Sequence, residues 1–219
     1  MATRAVLADL AAAYAQRTGC SVLIESVGGV DAVRRVQAGE IFDAVFLASE
    51  AIDKLISGGH VLPDSKADLM RSGVAVAVRQ GAALPDISTE DALRDAVRGA
   101  PSIGYSTGPS GMALLKLFER WGITSEIQSR LVLASPGVPV GTLVAEGRVG
   151  LGFQQHSELL HVAGIKLLGP LPPSIQIITT FSAGVGSLSK RVEAARELLA
   201  YLASPDATDA KRRQGMEPA

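Results

Sequence analysis

The stretch Tyr105-Ser106-Thr107-Gly108-Pro109-Ser110-Gly111 runs directly into the apolar-periodic segment Met112–Trp121. Ser102–Tyr105 reads as a strand, the polar residues after it as a tight turn, and the periodic run as a helix. Ser110 then falls near the first turn of that helix, beside backbone N–H groups that lack an intrahelical acceptor. The positive end of the helix dipole lies in the same place. A hydroxyl, free amides and small residues together suit an anion, and they do so without a catalytic base. Gly108 and Gly111 leave the backbone accessible. The plainer alternative for Ser110 is an ordinary cap in a loop.

Outward from this turn the chain alternates helical and strand patterns. Upstream, Thr3–Thr18 reads as a helix stopped by Gly19, and Ser21–Ser26 as a strand. Gly28-Gly29 makes a turn before a short helix, Asp31–Ala38. Ala44–Leu47 is a strand, Glu50–Ser57 a helix and Val74–Val78 another strand. Thr89–Arg98 is a helix with Ser88 or Thr89 as its cap. Downstream, Leu131–Ala134 and Leu151–Gln154 read as strands, Val138–Glu146 and Ser157–Leu160 as helices. Leu167–Leu168 and the apolar run Ile175–Phe181 read as strands, Lys190–Ala203 and Asp206–Gln214 as helices. This rhythm predicts an α/β fold with mostly parallel sheets and flanking helices. Two stretches rich in small residues, Arg79–Pro85 and Ser182–Ser189, each follow an apolar strand. They predict two crossings between two lobes: residues 1–80 with 182–219, and residues 81–181. Such an arrangement permits hinge closure over a ligand.

Composition narrows the function. The 219 residues are 47% hydrophobic and only 4% aromatic, so Ala, Val and Leu must fill the core. A formal net charge of -1 gives no general reason to expect nucleic acid or an acidic membrane surface as a partner. Cys20 is the only cysteine, which excludes an internal disulfide and a thiolate metal cluster. Its place before an apolar stretch predicts burial. The three His show no metal-ligand spacing, and no cofactor fingerprint is present: Gly-x-Gly-x-x-Gly and the phosphate loop are both missing. No apolar run is long enough to span a bilayer.

The chain enters a helical pattern almost at once, with neither a strand nor a signal peptide before it. The expectation is a longer gene product, and either a monomer or a dimer that exchanges strands.

The order of motifs carries a family resemblance. Ser26-Val27-Gly28-Gly29 is followed by Ala38-Gly39 and by Phe42-Asp43-Ala44-Val45-Phe46-Leu47-Ala48-Ser49. Then come Gly108-Pro109-Ser110-Gly111 and Gly147-Arg148-Val149-Gly150-Leu151-Gly152-Phe153. Over nearly the whole chain this resembles the molybdate-binding-protein-like branch of the ABC-transporter solute-binding proteins. The resemblance implies a two-lobed periplasmic-binding-protein fold of type II, a periplasmic location and membrane subunits of a transporter as partners. It also implies a small anion held by hydroxyls and amides from several turns. Those turns match Thr3 at the start of the chain, Gly28 and Gly29, Ser110 and Gly111, Val138 beside Gly137, and Gln155. Two side-chain donors of molybdate binders are changed here: Gly29 stands at a serine position and Gln155 at a tyrosine position. Gly-Pro-Ser-Gly and Phe-Gln-Gln-His-Ser-Glu look more like a side branch associated with organic carboxylates, which resembles aconitate isomerase. An enzyme of that kind moves a proton across an allylic tricarboxylate and needs a general acid or base.

The remaining candidates read more plainly. Gln154 and Gln155 end a strand, where polar residues of open α/β sheets face the ligand. Alternation lets only one of them point in, and Gln155 is the choice. Imidazole is the common proton shuttle, and Glu158 follows His156 closely, so both are weak candidates for proton transfer. The alternative is a surface helix start. His60 and His161 read as solvated, and Arg34 and Arg35 as an exposed helix face that a carboxylate could recruit. The expectation is a binding protein for an organic carboxylate or a tetrahedral oxyanion, with an isomerase of an unsaturated tricarboxylate as the alternative.

Overall fold

The computed structural model describes residues 1–135 and 137–219. In chain order its elements are α1 (Arg4–Thr18), α2 (Gly29–Gln37), β1 (Ala44–Ala48), α3 (Ser49–Ser57) and β2 (Ala67–Arg79). There follow α4 (Glu90–Gly99), β3 (Ile103–Tyr105), α5 (Pro109–Arg120), α6 (Thr124–Ile127), β4 (Leu131–Leu133) and α7 (Val140–Ala145). The rest are β5 (Leu151–Gln155), α8 (His156–Leu159), β6 (Ile165–Pro170), β7 (Ile178–Val185), α9 (Val192–Ala203), α10 (Thr208–Arg213) and β8 (Glu217–Pro218). The chain divides into two units: Met1–Ser72 with Thr179–Ala219, and Gly73–Ile178. The divisions fall inside β2 and β7.

In the first unit β7 lies between β1 and β2, and β8 adds to β2 at Met70 and Arg71. Helix α1 forms because Val6, Leu7, Leu10 and Tyr14 recur at helical spacing, and all four are buried. It stops at Gly19, whose φ of 73° only glycine adopts freely, and the Gly19 N–H donates to the Ala15 carbonyl. Those four residues join Leu198, Leu199 and Leu202 of α9 and Ala183 and Val185 of β7 in one cluster. A second cluster, Val36, Val45, Leu47, Ile52, Leu55 and Val61, fills the space between β1, α2 and α3.

In the second unit the strand order is β6-β2-β5-β3-β4. Phe118 of α5 is fully buried at its centre, edge-on to Phe153 of β5 with ring centroids 6.1 Å apart. Helix α4 starts where Thr89 Oγ1 accepts the Ala92 N–H at 3.1 Å, with Glu90 and Asp91 in the first turn. Thr89→Ala is expected to cost about 1 kcal/mol, read as a lower urea midpoint with an unchanged slope.

Four expectations need correction. The mostly parallel pairing does not extend through the fold. β3–β4 and β3–β5 are parallel, while β1–β7, β2–β5, β2–β6 and β2–β8 are antiparallel. Helical crossovers join β3 to β4 and β4 to β5, as the parallel neighbours among these three strands require. Ser21–Ser26 is not a strand. Its in–out alternation suits one, since Val22 and Ile24 rest on the α1 cluster, but no neighbouring strand supplies a ladder. Cys20 is exposed, because it sits between the Gly19 stop and that unladdered stretch. The strand expected at Ile175–Phe181 starts at Ile178, after a tight 3-10 turn at Pro173–Ile175.

Candidate functional site

The crossovers give the second unit a defined polar edge. Strands β3, β4 and β5 run the same way, so their C-terminal ends share one side of the sheet. Helices α5, α7 and α8 each begin at that side. In open α/β sheets this is where ligands bind.

Ser110 is the second residue of α5 and is 5% exposed. The N–H groups of Gly111 and Met112 both reach the Gly108 carbonyl, at 3.0 and 3.2 Å, and Pro109 has none. The Ser110 amide and hydroxyl are therefore the donors at this helix end. Gly111 is dictated by packing: a Cβ there would lie 1.9 Å from the Ser106 carbonyl oxygen. The first turn of α5 thus sits directly on the chain leaving β3, which holds Ser110 at the strand ends.

β5 is buried along its whole length, both glutamines included. Gln154 turns to α7, where its Oε1 accepts the Gly141 N–H at 3.2 Å. Gln155 pairs across from Val74 of β2 and is 3% exposed. Its neighbours continue the polar edge. His156 opens α8 and is half-buried, and Ser157 Oγ is enclosed with no protein partner among the described residues. Burial pushes the Glu158 carboxyl above its ordinary range, although Gln154 hydrogen-bonds to it. A carboxyl raised in this way stabilises the fold fully below roughly pH 4, its unfolded range, and that contribution is lost as pH rises through the folded value. Glu158→Gln removes the titration. Its melting temperature relative to the parent is therefore expected to be higher at pH 8 than at pH 4. Val138 lies in the connection from β4 to α7 and is 39% exposed.

Thr3, Gly28 and Gly29 belong to the first unit. Thr3 precedes α1, and its side chain caps nothing. Gly28 and Gly29 open α2 with ordinary backbone angles at Gly28. A Cβ at Gly28 would meet Asp31 at 3.7 Å, and one at Gly29 would meet Leu47 at 3.8 Å. Both are normal contacts. Neither glycine is required by packing, unlike Gly111. Arg35 is engaged by Glu25, at 2.7 Å, and by Glu40, and Arg34 by Asp31 at 2.8 Å. His161 is exposed and His60 half-buried. Among the described residues no group of His, Cys, Asp and Glu is placed to hold a metal ion, and no helix is long and apolar enough to cross a membrane.

The sequence reading gave Gln154 no part in holding α7, Ser106 no part in seating α5 and Ser157 no enclosed hydroxyl. The full burial of β5 is the missing signal: two adjacent glutamines in a strand covered on both faces each need a partner. A separate groove of about 420 Å³ is lined by Pro85, Asp86, Leu168, Pro170, Pro172 and Pro173. The Ser88 amide, and then its hydroxyl, hold the Asp86 carboxyl below its ordinary range, so this groove presents a negative charge. It does not suit an anion.

The second unit is an open α/β sheet with helix N-termini gathered at its strand ends. The chain belongs to the bacterial extracellular solute-binding protein family, whose model matches residues 1–217. It is 40% identical over 216 residues to an aconitate isomerase from Pseudomonas sp, covering 96% of this chain and 82% of that one. Its fold is that of type II periplasmic binding proteins. The periplasmic molybdate-binding protein of Azotobacter vinelandii superposes with a TM-score of 0.80 at 22% identity, over 98% of this chain and 94% of that one. The substrate-binding domain of a putative molybdenum ABC transporter from Clostridium difficile gives 0.76 at 15%, over 100% and 95%.

Proposed function

We propose that the chain captures a small organic polycarboxylate, with the Ser110 end of α5 as a principal donor set. The observation that carries this reading is the buried Ser110 hydroxyl and amide at a helix N-terminus, beside β5. The donors there are neutral. Affinity then comes from backbone amides, hydroxyls and the helix dipole rather than from a cluster of cations. Gly28, Gly29, Thr3, Val138 and Gln155 are the further ligand contacts in this reading. They require two hinged lobes that close on the solute, and a membrane transporter that reads the closed form. A tetrahedral oxyanion is less favoured, because the residues matching the serine and tyrosine of molybdate binders are Gly29 and Gln155.

A second reading is favoured by the 40% identity to an aconitate isomerase. In it the polycarboxylate is turned over as well as held. Glu158 is the candidate for a proton transfer, since burial raises its pKa above the ordinary carboxylate range. It would take a proton from the carbon next to the double bond; the double bond shifts by one position, and the proton returns at the far carbon. Atoms and charge balance without a cofactor.

One experiment separates the readings. The chain is incubated with cis-aconitate, followed by chromatography for the trans isomer and by a thermal-shift measurement. A ligand that binds the folded state alone raises the melting temperature. A raised melting temperature without trans-aconitate supports capture, and trans-aconitate formation that Glu158→Gln abolishes supports the isomerase. No shift with cis-aconitate, citrate or any other polycarboxylate contradicts both.

A further inference from the structure

The strand-end edge of the second unit is poor in charge. The described segments there are residues 106–112 after β3, residues 134–135 and 137–139 after β4, and residues 156–158 after β5. The segments after β3 and β4 carry no charged side chain. The last is His156-Ser157-Glu158. Among these described residues His156 is the one side chain that can become positive, and Glu158 the one carboxyl. The cations Arg79, Arg148 and Lys166 belong to the opposite ends of the strands. Arg79 closes β2, which is antiparallel to β5, Arg148 precedes β5, and Lys166 pairs with Val78 near the end of β2.

His156 follows Gln155 directly at the end of β5 and is half-buried. Its imidazole has no hydrogen-bond or ion-pair partner among the described residues. Glu158 does not neutralise it: residues two apart on a helical turn do not face each other, and Gln154 engages the Glu158 carboxyl. Helix α8 packs on β5, and Leu151–Gln155 include no titratable side chain. A polycarboxylate brings at least two negative charges to this edge, where the other donors are neutral amides and hydroxyls. A negative charge nearby favours the protonated form of an imidazole, and an imidazolium gives a carboxylate a charge-assisted hydrogen bond. We infer that His156 is the cationic contact for one carboxylate of the ligand, and that capture draws a proton from solvent onto its ring. This rests on the proposed capture of a polycarboxylate at the same edge. No covalent bond of the ligand changes in this step.

Calorimetric titration with cis-aconitate at about pH 7.5, repeated in buffers of different ionisation enthalpy, reads the protons taken up. The parent chain is expected to take up protons on binding, and Glu158→Gln to take up as many. His156→Gln is expected to take up none and to bind at least about tenfold more weakly, the strength of one hydrogen bond to a charged group. His156→Lys, which brings its own charge, should restore binding without uptake. Three results overturn the inference and leave the capture reading standing. In one, His156→Gln binds as tightly as the parent. In another, the parent binds without proton uptake. In the third, uptake persists in His156→Gln and disappears in Glu158→Gln, which makes the carboxyl the group that is protonated. A parent chain that binds neither cis-aconitate nor citrate overturns the capture reading and this inference together.

Discussion

Gly111→Ala is expected to destabilise the chain by about 3 kcal/mol or more, with loss of ligand binding. The new Cβ would stand 1.9 Å from the Ser106 carbonyl oxygen and 2.9 Å from its carbon. Neither side can yield cheaply. Ser106 leaves β3, which is laddered to β4 and β5 at once. The first turn of α5 is fixed by Leu114, Leu117 and Phe118 in the core of the second unit. Relief of the clash must tilt α5 or bend the strand end, and either moves Ser110. Urea unfolding reads the loss directly. Gly29→Ala is the control. Its Cβ meets nothing closer than 3.8 Å, so stability should change by less than about 0.5 kcal/mol while anion binding weakens. A Gly111→Ala chain as stable as the parent would show that α5 does not sit on Ser106 as described.

Ser110→Asp is expected to abolish binding of polycarboxylates. A fixed carboxylate would occupy the position that the ligand carboxylate takes in the proposed function. Like charges about 4 Å apart repel by about 4 kcal/mol at an effective dielectric constant near 20, so affinity should fall by at least a factor of about one hundred. The helix dipole returns roughly 0.3–1 kcal/mol to a carboxylate there, against the cost of desolvating it at a buried position, so binding is compared on Ser110→Asp chains whose urea transition shows them folded. Equal binding by Ser110→Asp and parent chains, in calorimetric titration, would remove Ser110 from the site.

Parts of the fold that follow from local rules were legible in the sequence. Helix α1 shows its periodicity and its glycine stop, and α4 shows its threonine cap; both appear where expected. The helix start at Ser110 was readable for the same reason, since glycine, proline and a hydroxyl before an apolar run have a local meaning. Features set by distant neighbours were not. The alternation in Ser21–Ser26 is that of a strand, yet a strand needs a partner that periodicity does not name. The antiparallel pairs of β2 depend on which segments return beside it. Gly111 looked like a residue that frees the backbone for a ligand, whereas its hydrogen gives room for Ser106. Burial of β5 on both faces likewise depends on helices far along the chain. That burial turned Gln154 from a rival of Gln155 into the partner of α7.

The most direct measurement is a calorimetric titration of the chain with cis-aconitate, repeated with molybdate and with a neutral sugar of similar size. Saturable binding of one tricarboxylate per chain, absent with the sugar and lost in Ser110→Asp, is the expected result. Heat with the sugar alone, or with none of the three, would contradict an anion site built from amides and hydroxyls at the strand ends.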